Sequence, residues 1–133
     1  MKNILILDDD GDILFLYRKI LKHPDWKIET LRDCKNILLH VKKYRPDLVL
    51  MDNTIPGGGG RAATKKLKNN KEYKLIPIII CSAHAEVESI ARSAGADGWL
   101  KKPFDITELR TLVNNFLLPP TTLLIIINIL LLT

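Results

Sequence analysis

The 133 residues, 47% apolar and 26% charged, have the size and balance of one domain with a packed core, and they leave no room for a second folded domain. Two cysteines, Cys34 and Cys81, exclude the dense pairing of a secreted disulfide scaffold, so both are expected as reduced packing residues. A net charge of +5 and the run Lys65, Lys66, Lys68, Lys71 and Lys74, with only Tyr73 interleaved, fit a solvated helix face, and no direct nucleic-acid contact is expected.

The first predicted element is a buried strand, Ile4 to Leu7, ending at Asp8, Asp9 and Asp10. The stretch up to Leu7 is too short for the apolar segment of a signal peptide, so a cytoplasmic location is expected. Ile13, Leu16, Tyr17 and Ile20 then share one helix face. Strands follow at Trp26 to Thr30, Leu48 to Met51 and Ile76 to Cys81. Val87, Ile90, Ala91 and Ala94 make a second helix face, closed by Gly95 as C-cap. A short strand, Gly98 to Leu100, leads to the last helix, where Asp105 and Glu108 have capping-box spacing. Leu109, Leu112, Val113 and Phe116 form its stripe, and Pro119 and Pro120 close it. Strands alternating with helices predict an α/β fold, a doubly wound parallel sheet covered on both faces.

In such a sheet the ligand crevice lies outside the carboxyl ends of the strands. Asp8 and Asp9 follow the first strand, Asp52 the third, Ser82 the fourth and Lys102 the fifth. Carboxylates gathered there repel one another unless a cation lies among them, and oxygen-only ligands favour Mg²⁺. A hydroxyl and an ammonium beside such a metal suit phosphoryl transfer, with a carboxylate as nucleophile. Of the adjacent pair, Lys102 is chosen over Lys101 because it precedes Pro103. Asp8, Asp9 and Asp10 taken alone also read as caps of the next helix, Ser82 as a satisfied hydroxyl, Trp99 as a core aromatic and His84 as a surface histidine. The glycine run lacks the Gly-Lys-Ser/Thr ending of a phosphate-binding loop and reads as a tight turn.

The strings Ile-Leu-Ile-Leu-Asp8-Asp9-Asp10, Leu-Val-Leu-Met-Asp52-Asn-Thr-Ile-Pro56, Ile-Ile-Ile-Cys-Ser82-Ala83 and Lys102-Pro103-Phe104 resemble, in order and spacing, the receiver domains of two-component response regulators, across residues 2 to about 118. The resemblance implies a flavodoxin-like sheet in the order 2-1-3-4-5 with five helices, spanning residues 1 to 118. It implies that Asp52 accepts a phosphoryl group from a histidine kinase or phosphotransfer protein. Asp8, Asp9, Asp52 and the backbone carbonyl of Thr54 would hold Mg²⁺, while Ser82 and Lys102 would bind the phosphoryl oxygens. Ser82 and Trp99 would form the switch, with Trp99 where the family usually has Tyr or Phe. Thr54 and His84 match positions that tune the lifetime of the aspartyl phosphate, and phosphorylation and dephosphorylation would be self-catalysed, the chain being a signalling protein and not a metabolic enzyme. A signalling surface on the fourth helix, the fourth strand and the fifth helix is implied by analogy, as a docking place for a downstream protein or a second copy. Gly57 to Gly60 depart from the family's more varied loop, and a mobile loop is expected there.

Two rival readings come from other classes. Leu7-Asp8-Asp9-Asp10-Gly11 resembles the opening motif of haloacid-dehalogenase-type phosphatases, with Asp8 as nucleophile and Asp10 as acid, although only isolated Asp97 and Asp105 are available late in the chain. A receiver-like module that signals without phosphorylation is the other. Residues 119 to 133 form an uncharged apolar tail without amphipathic period, too short to span a bilayer. Its composition reads as a strand that packs on a sheet edge or a neighbouring chain, giving a homodimer, or as a remnant without native role.

Overall fold

The computed structural model describes residues 1–118 and 120–133, with nothing to be said of the side chains of residues 120–123; Pro119, one of the two prolines expected to close the last helix, lies outside the described residues. Strands β1 (Lys2–Leu7), β2 (Trp26–Leu31), β3 (Leu48–Asp52), β4 (Ile78–Ser82) and β5 (Gly98–Lys101) alternate with helices α1 (Gly11–Ile20), α2 (Ile37–Tyr44), α3 (Gly60–Lys68), α4 (Val87–Ala94) and α5 (Ile106–Leu117). A sixth helix, α6 (Pro120–Leu132), follows. All strand pairs are parallel, and their order is β2-β1-β3-β4-β5, the flavodoxin-like arrangement expected.

Both faces of the sheet are covered, which is why its central strands are apolar throughout. Leu5, Leu7, Val49, Met51, Ile78 and Ile80 point to one face and pack under α2, α3 and α4 through Val41, Leu67 and Ala91. Ile4, Ile6, Leu50, Ile79 and Cys81 point to the other and pack under α1 and α5 through Leu14, Tyr17, Leu109 and Val113. Each fully buried side chain of this kind contributes about 1.5–3 kcal/mol relative to exposure. The register sets the carboxyl ends level: Leu7 pairs with Met51, Asp52 with Cys81, and Ser82 with Lys101.

Two expectations need correction. The fourth strand starts at Ile78 rather than Ile76, because the Ile76 N–H turns back to the Tyr73 carbonyl and Pro77, which has no N–H to give the ladder, offers only its carbonyl to Val49. The tail is a helix and not a strand. An uncharged Leu and Ile run fits either state. With no described strand pairing at a sheet edge, the helix satisfies its backbone internally, and Pro120 occupies the first turn, where its missing N–H costs nothing. Among the described residues no helix is long and apolar enough to cross a membrane.

Candidate functional site

The three aspartates after β1 divide into three environments. Asp8 is buried, at 2% exposure, and its Oδ1 accepts the Asp10 N–H at 2.9 Å. Asp10 is the N-cap of α1, its carboxylate accepting from the N–H groups of Asp12 and Ile13, so the capping role holds for this one. Asp9 lies between them and is exposed. Its carbonyl oxygen accepts from Arg32 Nη2 at 2.6 Å and Nε at 3.2 Å, a clamp on this loop from the end of β2.

Asp52 ends β3 at 6% exposure. Its Oδ2 accepts the Thr54 hydroxyl at 2.9 Å, and its Oδ1 accepts from Lys102 Nζ at 3.0 Å. The same ammonium donates to Asp8 Oδ2 at 2.6 Å, so one lysine bridges carboxylates from two strands. Lys102, not the exposed Lys101, makes this bridge; its N–H extends the β4 register by donating to the Ser82 carbonyl at 2.9 Å, and its peptide bond to Pro103 is cis. Burial alone would pull the Lys102 ammonium down, but hydrogen bonds to Asp8 and Asp52 and their charge outweigh it, and its pKa ends above the ordinary lysine value.

Ser82 sits buried at the end of β4 in the same cleft, its Oγ accepting the His84 N–H at 3.0 Å. His84 itself is exposed at the rim, with Nδ1 accepting the Glu86 N–H. Trp99 stands on β5 outside the cleft, half exposed, with the Arg92 guanidinium 5.1 Å from its ring centre. Beneath the site, burial pushes the Cys81 thiol up to about 11 and raises the Tyr17 hydroxyl further, so neither supplies a nucleophile near neutral pH. Gly60 is required by close approach: a Cβ there would strike the Asp52 carbonyl. Gly57, at φ 99°, lets the loop pass the Lys35 backbone.

The residues expected from sequence at the strand ends, Asp8, Asp9, Asp52, Ser82 and Lys102, thus line one cleft, joined by Thr54 and His84, while Trp99 stays outside it. Asp97 and Asp105 do not enter it. Asp97 holds Lys68 at 2.6 Å and the Ile78 N–H at the opposite end of β4, and Asp105 caps α5. Asp10 does line the cleft, but its carboxylate is engaged as the cap of α1, and the late carboxylate pair of a dehalogenase-type phosphatase is not supplied there by Asp97 or Asp105. Arg32 and the Thr54 hydroxyl were not singled out from the sequence. Nothing in the spacing marks Arg32, which reaches back 23 residues to Asp9.

Asp8, Asp9 and Asp52 can each bring one carboxylate oxygen to within 4.8 Å of the others. The donors are all oxygen, and the one ammonium among them leaves negative charge in excess, so the residues fit a hard divalent cation such as Mg²⁺.

Comparison with known proteins agrees with this geometry. The family model for the response regulator receiver domain matches residues 4–114. The chain is 36% identical to sporulation initiation phosphotransferase F of Bacillus subtilis, covering 87% of this chain and 94% of that protein. It is 30% identical to the KDP operon transcriptional regulatory protein KdpE of Escherichia coli over 83% of this chain, and spans about half of that longer relative, 48%. Among solved structures, the chemotaxis response regulator CheY4 of Vibrio cholerae superposes with a TM-score of 0.79 at 27% identity, covering 88% of this chain and 99% of that one. The receiver domain of the sensor histidine kinase PA1611 of Pseudomonas aeruginosa shares the fold at a TM-score of 0.77 and 22% identity, covering 86% and 96%; that structure has a magnesium ion coordinated in its active-site cleft.

Proposed function

Because this chain belongs to the response regulator receiver family, we propose that it accepts a phosphoryl group on Asp52 from a phosphohistidine of a sensor histidine kinase or phosphotransfer protein in the cytoplasm, and signals by a change of surface. The observation that carries this reading is the Lys102 ammonium bridging Asp8 and Asp52 at 2.6 and 3.0 Å. It sets a cation suited to phosphoryl oxygens against both buried carboxylates of the cleft. The match of Asp52 to the family's acceptor position, with its Oδ2 held by the Thr54 hydroxyl, supports Asp52 as the acceptor.

In the reaction, an Asp52 carboxylate oxygen attacks phosphorus, the P–N bond of the donor breaks, and the imidazole leaves with its electron pair and takes up a proton. Thr54 holds Oδ2 of Asp52 and so orients the carboxylate. Lys102 follows the charge onto the phosphoryl oxygens. Ser82, whose hydroxyl proton is not needed by the His84 N–H, donates to one of them. Asp8, Asp9, Asp52 and the Thr54 carbonyl would hold Mg²⁺, which when bound would supply neutralisation of the phosphoryl charge. His84 and Thr54 at the rim govern the access of water to the aspartyl phosphate, and hence its self-catalysed loss. Movement of Ser82 toward the phosphoryl group makes room for Trp99 to turn inward, away from Arg92, which changes the surface offered to the downstream protein.

The test is labelling by a small phosphodonor with and without Mg²⁺, read by intact mass on wild type, Asp52→Asn and Asp8→Asn. A Mg²⁺-dependent adduct that disappears in Asp52→Asn is expected, with labelling reduced in Asp8→Asn. An adduct that persists in Asp52→Asn overturns the assignment of the acceptor. No adduct in wild type under any condition leaves a receiver that works without phosphorylation.

A further inference from the structure

The parallel sheet sorts the chain's charge by height. Each crossover helix runs down from the carboxyl edge, so its last turn lies at the amino edge of the sheet. There α1 ends with Lys19, followed by Lys22 just past its cap, α2 with Lys42 and Lys43, and α3 with Lys65 and Lys66, all exposed. The acids of the first turns, Asp12, Glu88 and Glu108, collect with Asp8, Asp9 and Asp52 at the other edge. Of the acids near the basic edge, Asp47 is engaged by the Asn3 N–H and Asp97 by Lys68 and the Ile78 N–H, while Asp25 and Glu72 are exposed and outnumbered. Cations at helix carboxyl ends suit the helix dipole, so the pattern alone names no partner.

The second observation is independent of it. Helix α6 departs from the same basic edge, because Leu117 and Leu118, at the end of α5, line a shallow groove with Met1, Lys2, His23 and Trp26. From Leu124 to Leu132 every side chain is exposed, every one except Asn128 is Leu or Ile, and none is charged. A helix that is apolar all round belongs in a core or in a bilayer. A second copy of α6 would cover one side of it and leave the opposite side in water, whereas lipid covers the whole circumference. At about 20 Å, the helix is too short for the roughly 30 Å hydrocarbon core but long enough to bury itself in one leaflet. Its backbone is already internally bonded, as insertion requires.

We propose that α6 and the basic amino edge together dock this chain on an anionic phospholipid surface, α6 entering the near leaflet and the helix-end lysines meeting the headgroups. Neither element suffices for stable attachment, and together they supply the two contributions such attachment needs. The acidic cleft then faces away from the lipid, open to a phosphodonor. This inference goes beyond the phosphotransfer reading and does not depend on it.

The test is co-sedimentation of the full chain with phosphatidylcholine vesicles, with or without phosphatidylglycerol, at low and high salt. Wild type is compared with Ile126→Asp/Leu130→Asp and with Lys42→Glu/Lys43→Glu, each first checked by circular dichroism. The milder Ile126→Ser/Leu130→Ser and Lys42→Ala/Lys43→Ala replace any variant that does not fold. About tenfold more binding to the anionic vesicles at low salt is expected, falling at high salt and lost in the α6 variant, with the charge variant binding anionic and neutral vesicles alike. Three results overturn the proposal. One is wild-type binding that ignores lipid charge and salt. Another is no vesicle binding together with a multimeric solution mass that the α6 variant reduces to one chain, which makes a second copy the cover. The last is capture by a DNA duplex, but not by vesicles, that the charge variant abolishes and the α6 variant leaves intact.

Discussion

The two edges of the sheet carry charge in opposite ways. At the carboxyl edge, Asp8 and Asp52 are buried and Lys102 is held between them, so each ionic group depends on its neighbours for the solvation it has lost. At the amino edge the lysines stand in water, one by one, on the last turns of the helices. The difference teaches where sequence changes are felt. A charge removed from the first edge orphans another, and a charge removed from the second leaves its neighbours as they were.

The largest effect should come from Lys102→Met. It leaves two buried carboxylates facing each other, and breaking a buried pair costs about 3–5 kcal/mol when nothing replaces the lost partner. Because the cleft is open to solvent and Lys102 keeps 19% of its side-chain surface, about 2–3 kcal/mol is the expected loss, read from urea midpoints in chelator. Adding Mg²⁺ should return part of it, since a divalent cation takes over the neutralising role. A variant as stable as wild type in chelator would show that the bridge adds nothing to the fold.

The same bridge has a pH signature. The folded pKa of Lys102 lies above its unfolded value, so its contribution to stability is complete below the ordinary lysine value, about 10.4, and is lost as pH rises through the folded value. Denaturant midpoints followed from about pH 9 upward should therefore fall more steeply for wild type than for Lys102→Met, the other lysines and tyrosines being common to both. Parallel curves would sink the idea that Lys102 gains its proton affinity from the fold.

Most of this carboxyl edge was legible in the sequence because burial and chemistry coincide there. An apolar strand ending in Asp or Ser states both where the chain is buried and which polar group it delivers, and Asp8, Asp52 and Ser82 carry that signature. Lys102, by contrast, was told from Lys101 only by the Pro103 that follows it. What stayed hidden depends on contacts without a pattern. The Arg32 clamp on the Asp9 carbonyl and the packing of Gly60 under the Asp52 carbonyl join residues with no periodic relation. Nothing in the sequence marked the Thr54 hydroxyl, which donates to Asp52 Oδ2. The tail shows the opposite failure. Its run of Leu and Ile has a strong preference for burial and none for secondary structure, so composition announced that something must cover it but not that it would wind into α6.

The smallest effects sharpen the comparison by testing the one place where the amino edge breaks its own rule. Lys68 and Asp97 pair at 2.6 Å with Lys68 only 14% exposed, and Asp97 also accepts the Ile78 N–H that opens β4. Asp97→Asn keeps a side-chain oxygen for that N–H and removes only the charge, and Asp97 is itself 38% exposed, so a loss of about 0.5–1 kcal/mol is expected. Lys43→Ala, on the exposed last turn of α2, should stay within about 0.5 kcal/mol of wild type. The Asp97→Asn loss should shrink in high salt because half of the pair faces water, whereas the Lys102→Met loss should barely change. Equal salt dependence at Lys68–Asp97 and Lys102–Asp8 would mean that burial does not separate the two edges. The carboxyl edge would then owe its behaviour to the number of charges gathered there and not to their removal from solvent.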